Sequence, residues 1–166
     1  YLCTWNKGDY KMKKTFIFLV MFFYACSNEE LSDDQERANE IWNEMNGYQS
    51  WSQISGFSGI QSSNSVHGSH VQVWINDIAE SFLSDSASYG QLPNGSLIVK
   101  EGYSDSSGSD VSKITIMKKI EGYDPENNNW YWANYNPGGD LGGKNGKEAF
   151  CYNCHASGQD YLLSTT

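Results

Sequence analysis

Two thiols and an imidazole stand within five residues of one another late in the chain, as Cys151-Tyr152-Asn153-Cys154-His155. Cysteines two residues apart can grip a metal, close a redox disulfide, or form thioethers with the two vinyl groups of a haem. A histidine directly after the second cysteine favours the haem. The reason is geometric: two thioether bonds fix one porphyrin edge against a helical turn, and the next residue lies under the iron, where His155 can supply an axial nitrogen. A zinc site would need two further ligands, and His67 and His70 are the only other histidines. A thioredoxin-like redox pair is expected after the first strand of a βαβ unit, not behind almost the whole chain.

Whatever positions this motif must come from about one domain of chain, since 166 residues bury a single core. The formal net charge is −9, and past residue 14 no basic run of useful length occurs. Nucleic acid is thereby excluded as an expected partner, because phosphate binding needs clustered Lys and Arg. Aromatic residues make up 14% of the chain, many beside Gly, Asn and Ser, which suits a β-rich domain around something flat and apolar.

The first residues read as targeting rather than fold. From Met12 the chain carries two lysines, an apolar run from Phe16 to Tyr24, and then Ala25-Cys26. This is the pattern of a secretory signal over 12–25, with an apolar stretch too short for a permanent span. Cys26 directly after Ala25 resembles a bacterial lipobox end, with Phe23 where Leu is usual; acylation of Cys26 would anchor the protein to a membrane. Residues 1–11 look like upstream sequence translated by mistake, which removes Cys3 from the count. Residues 26–35 are expected as an exposed tether. With Cys26 assigned to lipid and Cys151 and Cys154 to the motif, no pair remains for a structural disulfide.

Beyond Ser32 the elements follow from pattern. Ser32 with Gln35 three residues later is a capping box. Ala38, Ile41, Trp42 and Met45 then mark one helix face, which Gly47 can stop. After a Gly/Ser-rich connection, Val71, Val73 and Ile75 alternate with His70, Gln72 and Trp74 as a half-buried strand. A short helix follows through residues 77–83, and Pro93 with Asn94-Gly95 marks a turn. Three more β-branched or aromatic runs, 96–103, 112–120 and 129–135, complete the strands. Their succession without long helices argues for an antiparallel sheet. The serine-rich 103–110 and the glycine-rich 136–148 read as surface loops. The fold class is therefore α+β, mainly β: one domain over 36–166, an antiparallel sheet with an N-terminal helix and a C-terminal attachment helix. Helical cytochromes with a late motif are excluded by the strand alternation in the middle of the chain.

The combination of residues 66–77 (VHGSHVQVWIND), 92–103 (LPNGSLIVKEGY), 114–139 and 151–162 (CYNCHASGQDYL) resembles the cytochrome P-460 family and its cousins, the cytochromes c-prime-beta. The likeness covers roughly residues 36 to 163. It implies an exported protein with one covalently bound haem c, often a dimer, with an antiparallel sheet and five-coordinate iron. Members with the full activity oxidise hydroxylamine and carry a bond from a lysine amine to the porphyrin edge.

That lysine matches Lys100. On the strand pattern alone Lys100 reads as a solvated edge residue; with the resemblance, the face shared by Ser96, Ile98 and Lys100 is expected to cover the haem. His70, at a strand start, is a candidate distal ligand or proton relay, although such a histidine is more often hydrogen-bonded structure. Met45 and Met117 fit as core. Trp130, Tyr131, Trp132 and Tyr135 wall either the haem pocket or the sheet core. Three functions stay open: oxidation of hydroxylamine with electrons passed to a redox partner protein, capture of nitric oxide or a similar small ligand, and electron transfer through a six-coordinate iron.

Overall fold

The computed structural model describes residues 31–54, 57–85 and 90–163. The expectations for the upstream segment, the signal peptide and Cys26 lie outside these residues. Helix α1 (Asp33–Glu44) starts where its cap predicts: the Ser32 hydroxyl accepts from Gln35 N at 3.3 Å, and Ser32 N donates to Gln35 Oε1 at 2.8 Å. Acidic residues Asp33, Asp34 and Glu36 occupy the first turn, facing the positive end of the helix dipole. The helix thus begins inside the segment 26–35 expected as an exposed tether, because the cap satisfies its first amides at Ser32. Its buried stripe includes Ala38 and Ile41, continuing to Met45 just beyond the last turn.

Seven strands form one antiparallel sheet: β1 (Ser52–Gln53), β2 (Gln61–Ser65), β3 (Gly68–Ile75), β4 (Leu97–Tyr103), β5 (Val111–Lys119), β6 (Trp130–Tyr135) and β7 (Leu141–Gly146). The order is β1-β3-β4-β5-β6-β7, with β2 also pairing β3. Helix α2 (Asp77–Ser84) is capped by Asn76, whose Oδ1 accepts from Ala79 N at 3.1 Å and also from Leu97 N at 3.1 Å, tying the helix to β4. Helix α3 (Ala149–His155) carries the Cys-x-x-Cys-His motif. The mainly β, α+β fold read from the sequence is the one observed.

Two expectations give way. The glycine-rich 136–148 contains β7, which pairs with β6 from Trp132↔Gly146 to Tyr135↔Leu141. Its sequence, LGGKNG, has almost no β-forming side chain, so the strand is created by the free edge of β6 rather than by its own propensity. Likewise the Gly/Ser-rich connection holds β1 and β2, both paired to β3.

Side-chain alternation divides the interior in two. On one face α1 covers Trp74, Leu97, Val99, Ile114, Ile116, Tyr131 and Tyr135. Tyrosine hydroxyls bolt that helix down: Tyr131 donates to Asp34 O at 2.6 Å, Tyr135 to Ala38 O at 2.8 Å, and Tyr123 to Asp34 Oδ1 at 2.8 Å. On the other face Val73, Ile75, Ile98, Met117, Trp130 and Trp132 form a second core, against which α3 sets Cys151 and Tyr152. With apolar neighbours on both faces, β3 is buried at Trp74 as well as at Val73 and Ile75, more than a half-buried strand predicts.

Candidate functional site

Between the second face of the sheet and α3 lies a cleft with about 1070 Å³ of empty space, its mouth included. Its floor is built from cross-strand rows. Register places Val73, Lys100, Thr115 and Asn134 side by side across β3 to β6, and beside them Ile75, Ile98, Met117 and Trp132. Strand parity does this: in β4, Ile98 and Lys100 face the cleft while Leu97, Val99 and Glu101 face α1. The walls bring Lys100, Cys151, Cys154 and His155 together.

On α3 the three motif side chains share a face, because Cys151 and Cys154 are three apart and Cys151 and His155 four apart. Both thiols are free; Cys151 is half-buried and Cys154 exposed. Burial, aided by the Glu148 carboxylate, pushes the Cys151 thiol up to about 11. His155 is buried, its ring set edge-on to Trp132 at 5.0 Å. His155 Nδ1 lies 2.8 Å from the carbonyl of Tyr161. A carbonyl only accepts, so Nδ1 carries the hydrogen and Nε2 keeps its lone pair bare, the tautomer a metal ligand needs.

His67, at the tip of the β2–β3 hairpin, points into the same cleft. Its ring stands perpendicular to His155, with centroids 6.1 Å apart, and its Nδ1 lies 3.1 Å from Thr115 Oγ1. Burial foremost, then the charges of Lys100, His155 and Lys113, lowers its pKa to about 3, so it is neutral across the physiological range. Burial also lowers the pKa of Lys100, favouring the free amine.

His70 is not part of this site. It shares the parity of Gln72 and Trp74, opposite to Val71 and Val73, and its Nδ1 is 3.2 Å from Ser69 Oγ. The expected distal candidate is thus on the wrong face, and His67 stands in its place. His67 lies in the hairpin turn just before β3, outside the alternating run, and the packing of that tip on β4 and β5 is what brings it to the cleft. A zinc site combining His67 and His70 fails for the same reason. Among the described residues no group of three or more His, Cys, Asp or Glu is arranged to hold a metal ion by itself. The aromatic run is split by parity, Trp130 and Trp132 toward the cleft side and Tyr131 and Tyr135 toward α1. Met45 belongs to the α1 core, whereas Met117 is core and cleft lining at once.

The charge of the cleft runs against that of the chain. Lys100, Lys113 and Lys144 line it, and no carboxylate does among the described residues. Trp132 Nε1 is buried there without an acceptor. Apolar walls, a bare imidazole nitrogen beside two thiols and a cationic margin suit a flat, apolar group with an iron and acidic edge substituents, and the donor set fits a haem.

A family model described as Cytochrome P460 matches residues 45–163, a span holding Lys100, the cleft and the whole of α3. No curated protein gives a significant match. With its antiparallel sheet and a match over most of its length, the chain belongs to the cytochrome P460 family of haem proteins.

Proposed function

We propose that this protein is an exported c-type cytochrome with one haem, joined by thioethers to Cys151 and Cys154 and ligated at iron by His155, which oxidises hydroxylamine or a related small nitrogen compound. The observation that carries the proposal is the convergence of Cys151, Cys154, His155 and Lys100 on one apolar cleft. When bound, the haem supplies an iron that takes a small ligand and accepts its electrons. Those electrons would pass to a redox partner protein. Acylated Cys26 would hold the protein at a membrane surface, and the family habit of dimerisation extends to it.

The chain's own residues have distinct tasks. Cys151 and Cys154 would hold the haem to α3 through thioethers. His155, with Nδ1 held by Tyr161, presents Nε2 in one orientation. Lys100 brings a half-buried amine, its pKa lowered by desolvation, to the cleft, where its stem would pack against the porphyrin. Ile98, Met117 and Trp132 exclude water from the floor of the cleft.

One observation favours a second reading, capture of nitric oxide without turnover. Oxidation of hydroxylamine releases protons, yet no carboxylate lines the cleft among the described residues, and His67, with a pKa near 3, is a weak acceptor. The deciding experiment is the absorption spectrum of the dithionite-reduced protein together with hydroxylamine turnover. A red-shifted, broadened Soret band that is lost in Lys100→Ala, with turnover, supports the enzyme. An ordinary five-coordinate ferrous spectrum without turnover supports capture. Sharp six-coordinate bands would instead make His67 or Met117 a sixth ligand and the protein an electron carrier.

A further inference from the structure

Five residues beyond His155, where the chain packs against the core that carries Met117, Trp130 and Trp132, it makes a turn that ordinary residues avoid. Asp160 and Tyr161 both adopt left-handed backbone, with φ of +48° and +65°. Two consecutive non-glycine residues in this region, one of them bulky, are held there only if the surroundings over-determine them. The Tyr161 carbonyl is the group that accepts from His155 Nδ1.

What over-determines the turn is the Asp160 carboxylate. Its side chain is 1% exposed and that of its partner Lys119 is 2% exposed. Lys119 Nζ donates to Oδ1 at 2.7 Å and to Oδ2 at 2.6 Å. Oδ2 also accepts from Leu92 N at 2.7 Å, and Oδ1 from Asn128 Nδ2 at 3.0 Å. The backbone carbonyl of Asp160 takes the indole N–H of Trp130 at 2.9 Å. One residue is thereby tied to β5, β6, the turn after it in space at Asn128, and the loop before β4. A fully buried ion pair is weak evidence for stability, since desolvation offsets most of the attraction; what such a pair does well is fix one geometry.

We propose that Asp160 is the positioning residue of the axial histidine: anchored by Lys119, it holds the Tyr161 carbonyl against His155 Nδ1 and so sets the orientation and basicity of the nitrogen offered to iron. This rests on the reading of His155 as the axial ligand. A hydrogen bond to the far nitrogen of a ligating imidazole raises its basicity and strengthens its bond to the metal. Asp160 makes no contact with the cleft; it acts through the carbonyl next to it.

The test uses the haem-loaded full chain and its Asp160→Ala and Asp160→Asn variants. Resonance Raman of the ferrous form gives the iron–histidine stretch, and redox titration gives the midpoint potential. Asp160→Ala is expected to keep its haem through denaturation, because both thioether positions are untouched, while the stretch moves to lower frequency and broadens and the potential rises. Asp160→Asn keeps the shape but loses the charge, folds more readily, and is expected to shift both in the same direction by less. The stretch is the decisive readout, since loss of a charge at a distance alters a potential without weakening the imidazole's hydrogen bond. A variant with wild-type stretch and potential overturns the proposal while leaving His155 as ligand. Absence of an iron–histidine stretch in a wild type whose ferrous iron is five-coordinate by its absorption spectrum overturns the ligand assignment, and the proposal with it.

Discussion

Gly102→Ala should damage the cleft from a position whose own backbone tolerates alanine. Gly102 lies in β4 between Val71 and Lys113. A Cβ built there would stand 1.6 Å from the carbonyl oxygen of His67 and 2.8 Å from its carbonyl carbon. To reach even 3.0 Å, the shortest approach real Cβ atoms tolerate, the hairpin tip has to withdraw from β4. That tip is held by Lys113 Nζ on Val66 O at 2.8 Å and by His67 on Thr115 at 3.1 Å, and both bonds would be stretched. Overpacking costs about 1–3 kcal/mol, and a lost hydrogen bond adds about 1 kcal/mol. For a domain of this size the sum corresponds to a fall in Tm of roughly 8–15 °C. Thermal unfolding followed by circular dichroism measures it, and the kinetics of nitric oxide binding to the ferrous protein report the displaced His67. The control is Gly143→Ala in β7, where a Cβ meets nothing within 4 Å and little change is expected. If Gly102→Ala melts within about 2 °C of wild type and binds ligand at the same rate, the tight approach of His67 to β4 is wrong.

Two further outcomes test the rest. Glu101 is buried on the α1 face, accepting from the hydroxyls of Tyr48 and Tyr103 and from Gln49 Nε2 at 3.2 Å; Glu101→Gln should lose about 2 kcal/mol in urea unfolding while the haem spectrum stays unchanged, and a spectral shift as large as the stability loss would show that the two faces are not separate. In the haem-free Cys151→Ser, Cys154→Ser protein, His67 has a folded pKa of about 3 against its ordinary value near 6.5, so the unfolded chain binds the extra proton. Its contribution is complete above pH 6.5 and is lost as the pH falls toward 3, amounting to about 2 kcal/mol between pH 6.5 and 5; a His67→Phe companion should show a correspondingly flatter pH profile over that window, and equal slopes would refute the burial of a neutral His67.

The parts of this molecule that were legible in its sequence are those governed by near neighbours. Ser32 and Gln35 announced the start of α1, Gly47 bounded it, and alternation in 71–75, 96–103 and 112–120 located β3, β4 and β5. The same alternation put Lys100 and Ile98 on one face and Glu101 on the other. What escaped depends on residues distant in sequence. LGGKNG becomes β7 only because Trp130–Tyr135 offers it an edge. His67 and His70 look alike in one dimension, and only the pairing of β3 with β4 shows which faces the cleft. Asp160 reads as one more surface carboxylate until Lys119, Leu92, Asn128 and Trp130 close around it. The signal-like stretch and Cys26 lie outside the described residues.

The parity of β4 has a consequence for how this protein tolerates change. Lys100 and Glu101 are adjacent in the chain yet serve opposite compartments, the amine in the cleft and the carboxylate beneath α1. A substitution disturbs one compartment at a time. An inserted or deleted residue in β3, β4 or β5 instead advances the pairing by one step and turns every following side chain over. In β4 it would deliver a carboxylate to the haem side and an ammonium to the tyrosines of the α1 core. The strand can therefore drift in composition, but its length is fixed: the chemistry of both compartments hangs on one integer, the offset at which the strands are paired.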